Sequence, residues 1–162
     1  MSLSNLKGKM GRVEEKLSEL GIKIPDVPTP LGSYKPASIT GNLIFISGQL
    51  PLSEGRLLFE GKLGGDVTVE QGMQAARASS INALAAMSKE LGGLDRIKKI
   101  IKVTGYIASA PGFHGQANVL NGASDLFFQV FGESGRHARA AVGVAELPMN
   151  APVEVELIAE IT

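Results

Sequence analysis

The chain has no cysteine and no tryptophan among its 162 residues, and it has only two histidines. Without a thiol there is no disulfide, no thiolate metal site and no cysteine nucleophile. His114 and His137 have no ligand-like neighbours at metal-site spacing, so no metal is expected. Net charge is also missing: 16 Lys and Arg balance 16 Asp and Glu, dispersed except for Lys98, Lys99 and Lys102. A nonspecific binder of phosphate backbones needs an extended basic field, which disfavours nucleic acid as a partner. No apolar run approaches the length that crosses a bilayer. Residues 1–21 carry Lys7, Lys9, Arg12, Glu14, Glu15 and Lys16 and lack the apolar core of a signal peptide. No membrane partner and a cytoplasmic location are the expectations.

What is present is apolar content, 44% of the sequence, in a length that suits one domain with its own core. Residues 1–162 therefore read as a single domain. Leu6, Met10, Val13, Leu17 and Leu20 recur on one helical face that ends at Gly21, which predicts an accessory amphipathic helix within residues 1–21. Pro25, Pro28 and Pro30 make residues 22–32 an extended connector.

Beyond the connector the periodicity alternates between strand and helix. Residues 38–42 form a tight turn into a β-rich run at 43–47, and a second run at 57–59 can pair with it. Thr68 and Gln71 have capping-box spacing, and the helix they start should run through Leu91 to a stop at Gly92-Gly93. A short helical turn at 95–99 precedes a strand at 100–107. Phe113, Leu120, Phe127, Val130 and Phe131 outline a second helix, interrupted in pattern by Gly115 and Gly122. Strands follow at 138–147, with Val142 and Val144 as the core face against Arg139, Ala141 and Gly143, and at 153–161, with Val153, Val155, Leu157 and Ala159 inward. The order β-β-α-β-α-β-β predicts an α+β fold with helices on one sheet face. Apolar residues such as Ile158 on the other face make it a candidate for covering by a second copy.

Four segments carry a resemblance: Gly32-Ser33-Tyr34, the run from Gly41 through Ser47-Gly48-Gln49-Leu50-Pro51, Ala138-Arg139-Ala140-Ala141-Val142-Gly143-Val144, and Glu146-Leu147-Pro148. In order and spacing, from about Tyr34 to Ile161, they closely resemble the reactive-intermediate deaminase (RidA/YjgF-like) family. The resemblance implies a chorismate-mutase-like α+β core over residues 32–162, a homotrimer with pockets between subunits, and no bound cofactor. It also implies hydrolysis of enamine or imine intermediates, such as 2-aminoacrylate and 2-iminobutyrate, to 2-keto acids and ammonia. The pyridoxal phosphate of such chemistry belongs to the upstream enzyme.

Carried over by position, the family's carboxylate-binding arginine is Arg139, and the acidic residue that positions water or moves a proton is Glu154. Tyr34, Asn121, Ser47 and Gly48 match pocket positions. Each has a structural alternative. Arg139 could pair with Glu154 or Glu156 across the sheet, Asn121 could cap a helix end, Tyr34 could be a core or interface aromatic, and Ser47-Gly48 could be a strand-end turn. The sequence departs from the family at Ser33, Ala141 and Gly143, and at Arg136-His137, where Phe-Pro is common. A small-acid partner is common to the deaminase reading and to its alternative, a noncatalytic metabolite-sensing protein. Chorismate mutase and ribonuclease activities rank lower.

Overall fold

Along residues 153–161 every odd-numbered side chain is buried and every even-numbered one is partly exposed, the period of a strand with one face on a core. This strand lies at the centre of the main sheet in the computed structural model, which describes residues 10–30 and 32–162. In chain order the elements are α1 (Arg12–Glu19), β1 (Ala37–Thr40), β2 (Leu43–Gln49), β3 (Leu52–Ser53), β4 (Arg56–Leu57), α2 (Val69–Leu91), β5 (Ile97–Ala108), α3 (Gln116–Phe131), β6 (Ala138–Val144) and β7 (Val153–Ile161). The sheet runs β1-β2-β7-β5-β6, antiparallel except for the parallel pair β5–β6. With α2 and α3 packed on its inner face, the architecture is the α+β arrangement expected from the pattern.

The long helix α2 starts and stops where local chemistry says it should. The Thr68 hydroxyl accepts from the Gln71 amide at 3.2 Å, and the Gln71 side chain accepts from the Thr68 amide at 2.9 Å, which closes the capping box. Gly92 ends α2 in the left-handed conformation at φ 72°. Gly122 does not interrupt α3; a Cβ there would collide with the Met73 carbonyl of α2, so the glycine lets the two helices touch. Ala75, Ala76, Ala83 and Leu84 of α2 and Val119, Leu120, Ala123 and Phe127 of α3 are fully buried against the sheet.

Three expectations are corrected. The partner of β2 within the first hairpin is β1, through a two-residue turn with Gly41 at φ 56°, and Leu57 instead pairs with Leu52 in a separate two-stranded hairpin. Residues 95–96 turn without a helix and β5 begins at Ile97. The faces of β6 are inverted: Arg139 and Ala141 lie opposite Val103 and Gly105 on the helix side, whereas Val142, 41% exposed, lies opposite Tyr106 on the open side. Small residues at 141 and 143 are what let β6 sit under α3, and the valines are displaced to the outer face.

The first described helix is shorter than the apolar pattern. α1 buries Val13 and Leu17, Leu20 packs partly on the core, Met10 is exposed, and Leu6 lies outside the described residues. Its first amides are capped from far along the chain: Asp95 accepts from Arg12 at 3.0 Å and from Val13 at 2.9 Å. Glu14 returns the contact by accepting from the Leu94 amide at 3.1 Å. Burying Val13 and Leu17 contributes about 1.5–3 kcal/mol each.

Candidate functional site

Arg139 stands on the edge strand β6 with its side chain turned to α3. Its Nη1 donates to Asn121 Oδ1 at 2.8 Å and to Ser124 Oγ at 3.2 Å, and Nη2 donates to the Ala117 carbonyl at 3.3 Å. Residues 117, 121 and 124 meet one group because spacings of four and three residues share a helix face. A guanidinium has five N–H donors, so three are held by its own chain and two remain. The group borders an open cavity of 390 Å³ shared with Ser124, Phe128, Arg136 and His137. Arg136 lies over the Phe128 ring, 5.0 Å from its centroid.

His137 closes the hydrogen-bond chain. Its Nε2 is 2.9 Å from Ser124 Oγ, and Nδ1 is 2.6 Å from the Gly135 carbonyl. A carbonyl only accepts, so Nδ1 carries the hydrogen and Nε2 accepts from Ser124. Burial holds the imidazole below its ordinary pKa, and the Arg139 charge adds to that, against the opposing pull of the Gly135 bond. The Phe127 ring meets it edge-on at 5.9 Å.

A second group gathers where β2 meets β7. Glu154 is half-buried, and its carboxylate lies directly over Gly48, where any Cβ would strike it. Burial, and the Glu156 carboxylate next to it, raise its pKa above the ordinary carboxylate value. Glu156 accepts from the Tyr106 hydroxyl at 2.7 Å, and that bond raises the Tyr106 pKa. Ser47 donates its hydroxyl to the Lys35 carbonyl at 2.6 Å, and its amide donates to the Pro36 carbonyl. These bonds tie the strand to the segment that begins at Tyr34, a residue 61% exposed. The Ser47 hydrogen is therefore spent on the backbone, and its oxygen is left as an acceptor.

The structure thus joins Arg139 with Asn121, and Glu154 with Ser47, Gly48 and the Tyr34 segment, but it does not join the two groups within one chain. Arg139 pairs in register with buried Val103, whereas Glu154 pairs with Tyr106 on the opposite face. An Arg139 salt bridge to Glu154 or Glu156 is ruled out by that register. Asn121 is not a helix-end cap either, since it sits within α3 and its carbonyl oxygen is occupied by Arg139. Sequence reasoning missed Ser124, His137 and Tyr106. The available signals were spacing alone: Ser124 three residues after Asn121, His137 two before Arg139, and Tyr106 in a β-rich run. Among the described residues no three His, Asp or Glu side chains converge as a metal site, and no helix is long and apolar enough to cross a membrane.

Comparison with known proteins places these two groups in context. Residues 14–161 match the family model described as "YjgF/chorismate_mutase-like, putative endoribonuclease". Protein TCP17 of Trypanosoma cruzi is 44% identical over 152 residues, spanning 93% of this chain and 95% of that protein. A 2-iminobutanoate/2-iminopropanoate deaminase of Dermatophagoides farinae is 31% identical over 137 residues, 85% of this chain and 92% of the relative. The crystal structure of Atu1372 from Agrobacterium tumefaciens, a protein of unknown function, superposes with a TM-score of 0.87 at 45% identity, covering 93% of this chain and 92% of the other. On the match of nearly its whole length, the chain belongs to the YjgF/chorismate-mutase-like family.

Proposed function

We propose that the protein hydrolyses small enamine or imine intermediates bearing a carboxylate, releasing a 2-keto acid and ammonia, at a site completed between copies of the chain in a homotrimer. The observation that carries this reading is Arg139, braced by three acceptors with two N–H groups left to hold a carboxylate. The trimer rests on family resemblance, and the separation of Arg139 from Glu154 on opposite sheet faces supports a site that needs a second copy. Exposed Phe45 and Val142 give the outer face a physical reason to be covered.

In this reading Arg139 fixes the carboxylate and thereby the angle of the electrophilic carbon. Glu154 of a neighbouring copy takes a proton from water as its oxygen bonds to that carbon. With the substrate nitrogen entering as the protonated iminium, the C=N π pair passes to nitrogen in that attack and gives the carbinolamine. The carbinolamine then collapses: nitrogen receives the proton from Glu154, the C–N bond breaks as the hydroxyl oxygen forms the keto C=O, and the hydroxyl proton passes to the departing ammonia. One water is consumed and the ammonia leaves as ammonium. The raised pKa of Glu154 moves it toward neutrality, where a carboxylate can both accept and return a proton. An already reactive substrate needs placement more than a strong nucleophile.

A second reading, noncatalytic binding of a small carboxylate, is supported by the braced Arg139 and the cavity beside it, which can hold a carboxylate without any use of Glu154. Freshly generated 2-iminobutyrate separates the two. The deaminase reading expects accelerated formation of keto acid, and a loss of kcat/KM by roughly tenfold or more in Arg139→Ala. Saturable 2-oxobutyrate binding without any acceleration would leave only the binding reading.

A further inference from the structure

An exposed arginine on an edge strand has many rotamers, and ordering it costs entropy that a ligand would otherwise have to supply. Here the ordering is done in advance. Ser124 accepts one Nη1 hydrogen, which obliges its own hydroxyl hydrogen to find another acceptor. His137 Nε2, 2.9 Å away, is that acceptor, and the Gly135 carbonyl on Nδ1 selects the tautomer that leaves Nε2 free to accept. The imidazole is itself held in place by the Phe127 ring edge and by the turn at Gly132–Gly135. Every link has one donor and one acceptor, so the chain Arg139 to Ser124 to His137 to Gly135 has a single polarity.

We propose that Ser124 and His137 are positioning residues for Arg139, orienting its guanidinium for a carboxylate through a directed hydrogen-bond chain that ends on the Gly135 carbonyl. The inference rests on Arg139 as the carboxylate anchor and extends that reading to residues that do not touch the ligand. Ser124 and His137 act as a pair: removing either breaks the same chain, so their effects on binding should not add. What matters at 137 is an acceptor at the Nε2 position, not the imidazole as such. Glutamine places an amide oxygen near that point, whereas leucine fills the space and offers nothing.

The test is calorimetric titration of the assembled protein with 2-oxobutyrate near neutral pH, with thermal melts to check folding. Ser124→Ala and His137→Leu are each expected to weaken binding about tenfold, equivalent to about 1.4 kcal/mol. The double variant should be no weaker than either single one, and His137→Gln should stay within about twofold of wild type. If Arg139→Ala abolishes binding while Ser124→Ala and His137→Leu bind as wild type, the positioning roles are overturned and the anchor stands. If Arg139→Ala itself binds as wild type, the anchor reading is what fails. Should His137→Leu fail to fold, Ser124→Ala and His137→Gln carry the test, and a Gln variant as weak as Ser124→Ala would contradict the acceptor role.

Discussion

Arg139 and Glu154 face opposite ways through one sheet: Arg139 stands beside buried Val103, its β5 neighbour, and Glu154 beside partly exposed Tyr106, three residues further along the same strand and therefore on the other side of the layer. Strand geometry makes this firm, because side chains alternate faces and a change of side would need a register slip that turned the whole β7 core outward. Any chemistry that uses both residues therefore draws them from different copies.

The contact between Gly48 and Glu154 predicts a steric effect on chemistry. Gly48 has no left-handed backbone, so alanine is tolerated by the chain itself, but its Cβ must displace the Glu154 carboxylate. Gly48→Ala should lower kcat for imine hydrolysis by roughly tenfold or more while leaving 2-oxobutyrate affinity within about threefold of wild type. Steady-state kinetics beside a binding titration measure this, and an unchanged kcat would show that Glu154 does not need its observed position.

Glu154 also predicts a trade between stability and activity. Burial first, and then the Glu156 charge, raise its pKa above the ordinary 4.5, so the folded chain holds that proton more tightly than the unfolded chain. Its contribution to stability is fully present below the unfolded value and is lost as pH rises through the raised folded value. Glu154→Gln, which cannot ionise, should melt about 1–3 °C higher than wild type near neutral pH, with the difference fading toward about pH 4. Thermal melts across that range check it; a variant less stable at neutral pH would contradict the assignment of burial as the dominant cause.

The long-range cap on α1 predicts a loss confined to stability. Asp95→Ala removes acceptors from the Arg12 and Val13 amides and should cost about 0.5–2 kcal/mol. Denaturant unfolding measures it, and a cost near zero would mean that burial of Val13 and Leu17 alone holds the helix.

What could be read from the sequence was what depends on neighbours in the chain. The Thr68–Gln71 box, the Gly92 stop and the alternation of residues 153–161 need no tertiary information, and each matches the structure. Asp95 reads locally as the start of a helical turn, and its real task is to cap amides more than 80 positions away, which no local pattern encodes. The inverted faces of β6 have the same origin. Valine looks like core and alanine like filler, but the space under α3 accepts only small side chains and one arginine that reaches past the edge. The family motif located Arg139, Asn121 and Glu154, whereas Ser124 and His137 fall at positions where this chain departs from or lies outside the motif, and only their 2.9 Å contact reveals them.

The most direct test of a site shared between copies is activity in mixed assemblies. Arg139→Ala and Glu154→Ala proteins, each expected to retain only residual activity alone, should be denatured together in equal amounts and refolded. If every site draws its arginine from one copy and its carboxylate from another, random mixing regenerates about one quarter of wild-type imine hydrolysis. Activity that stays at the level of the separate variants, in assemblies verified as mixed, would contradict the account.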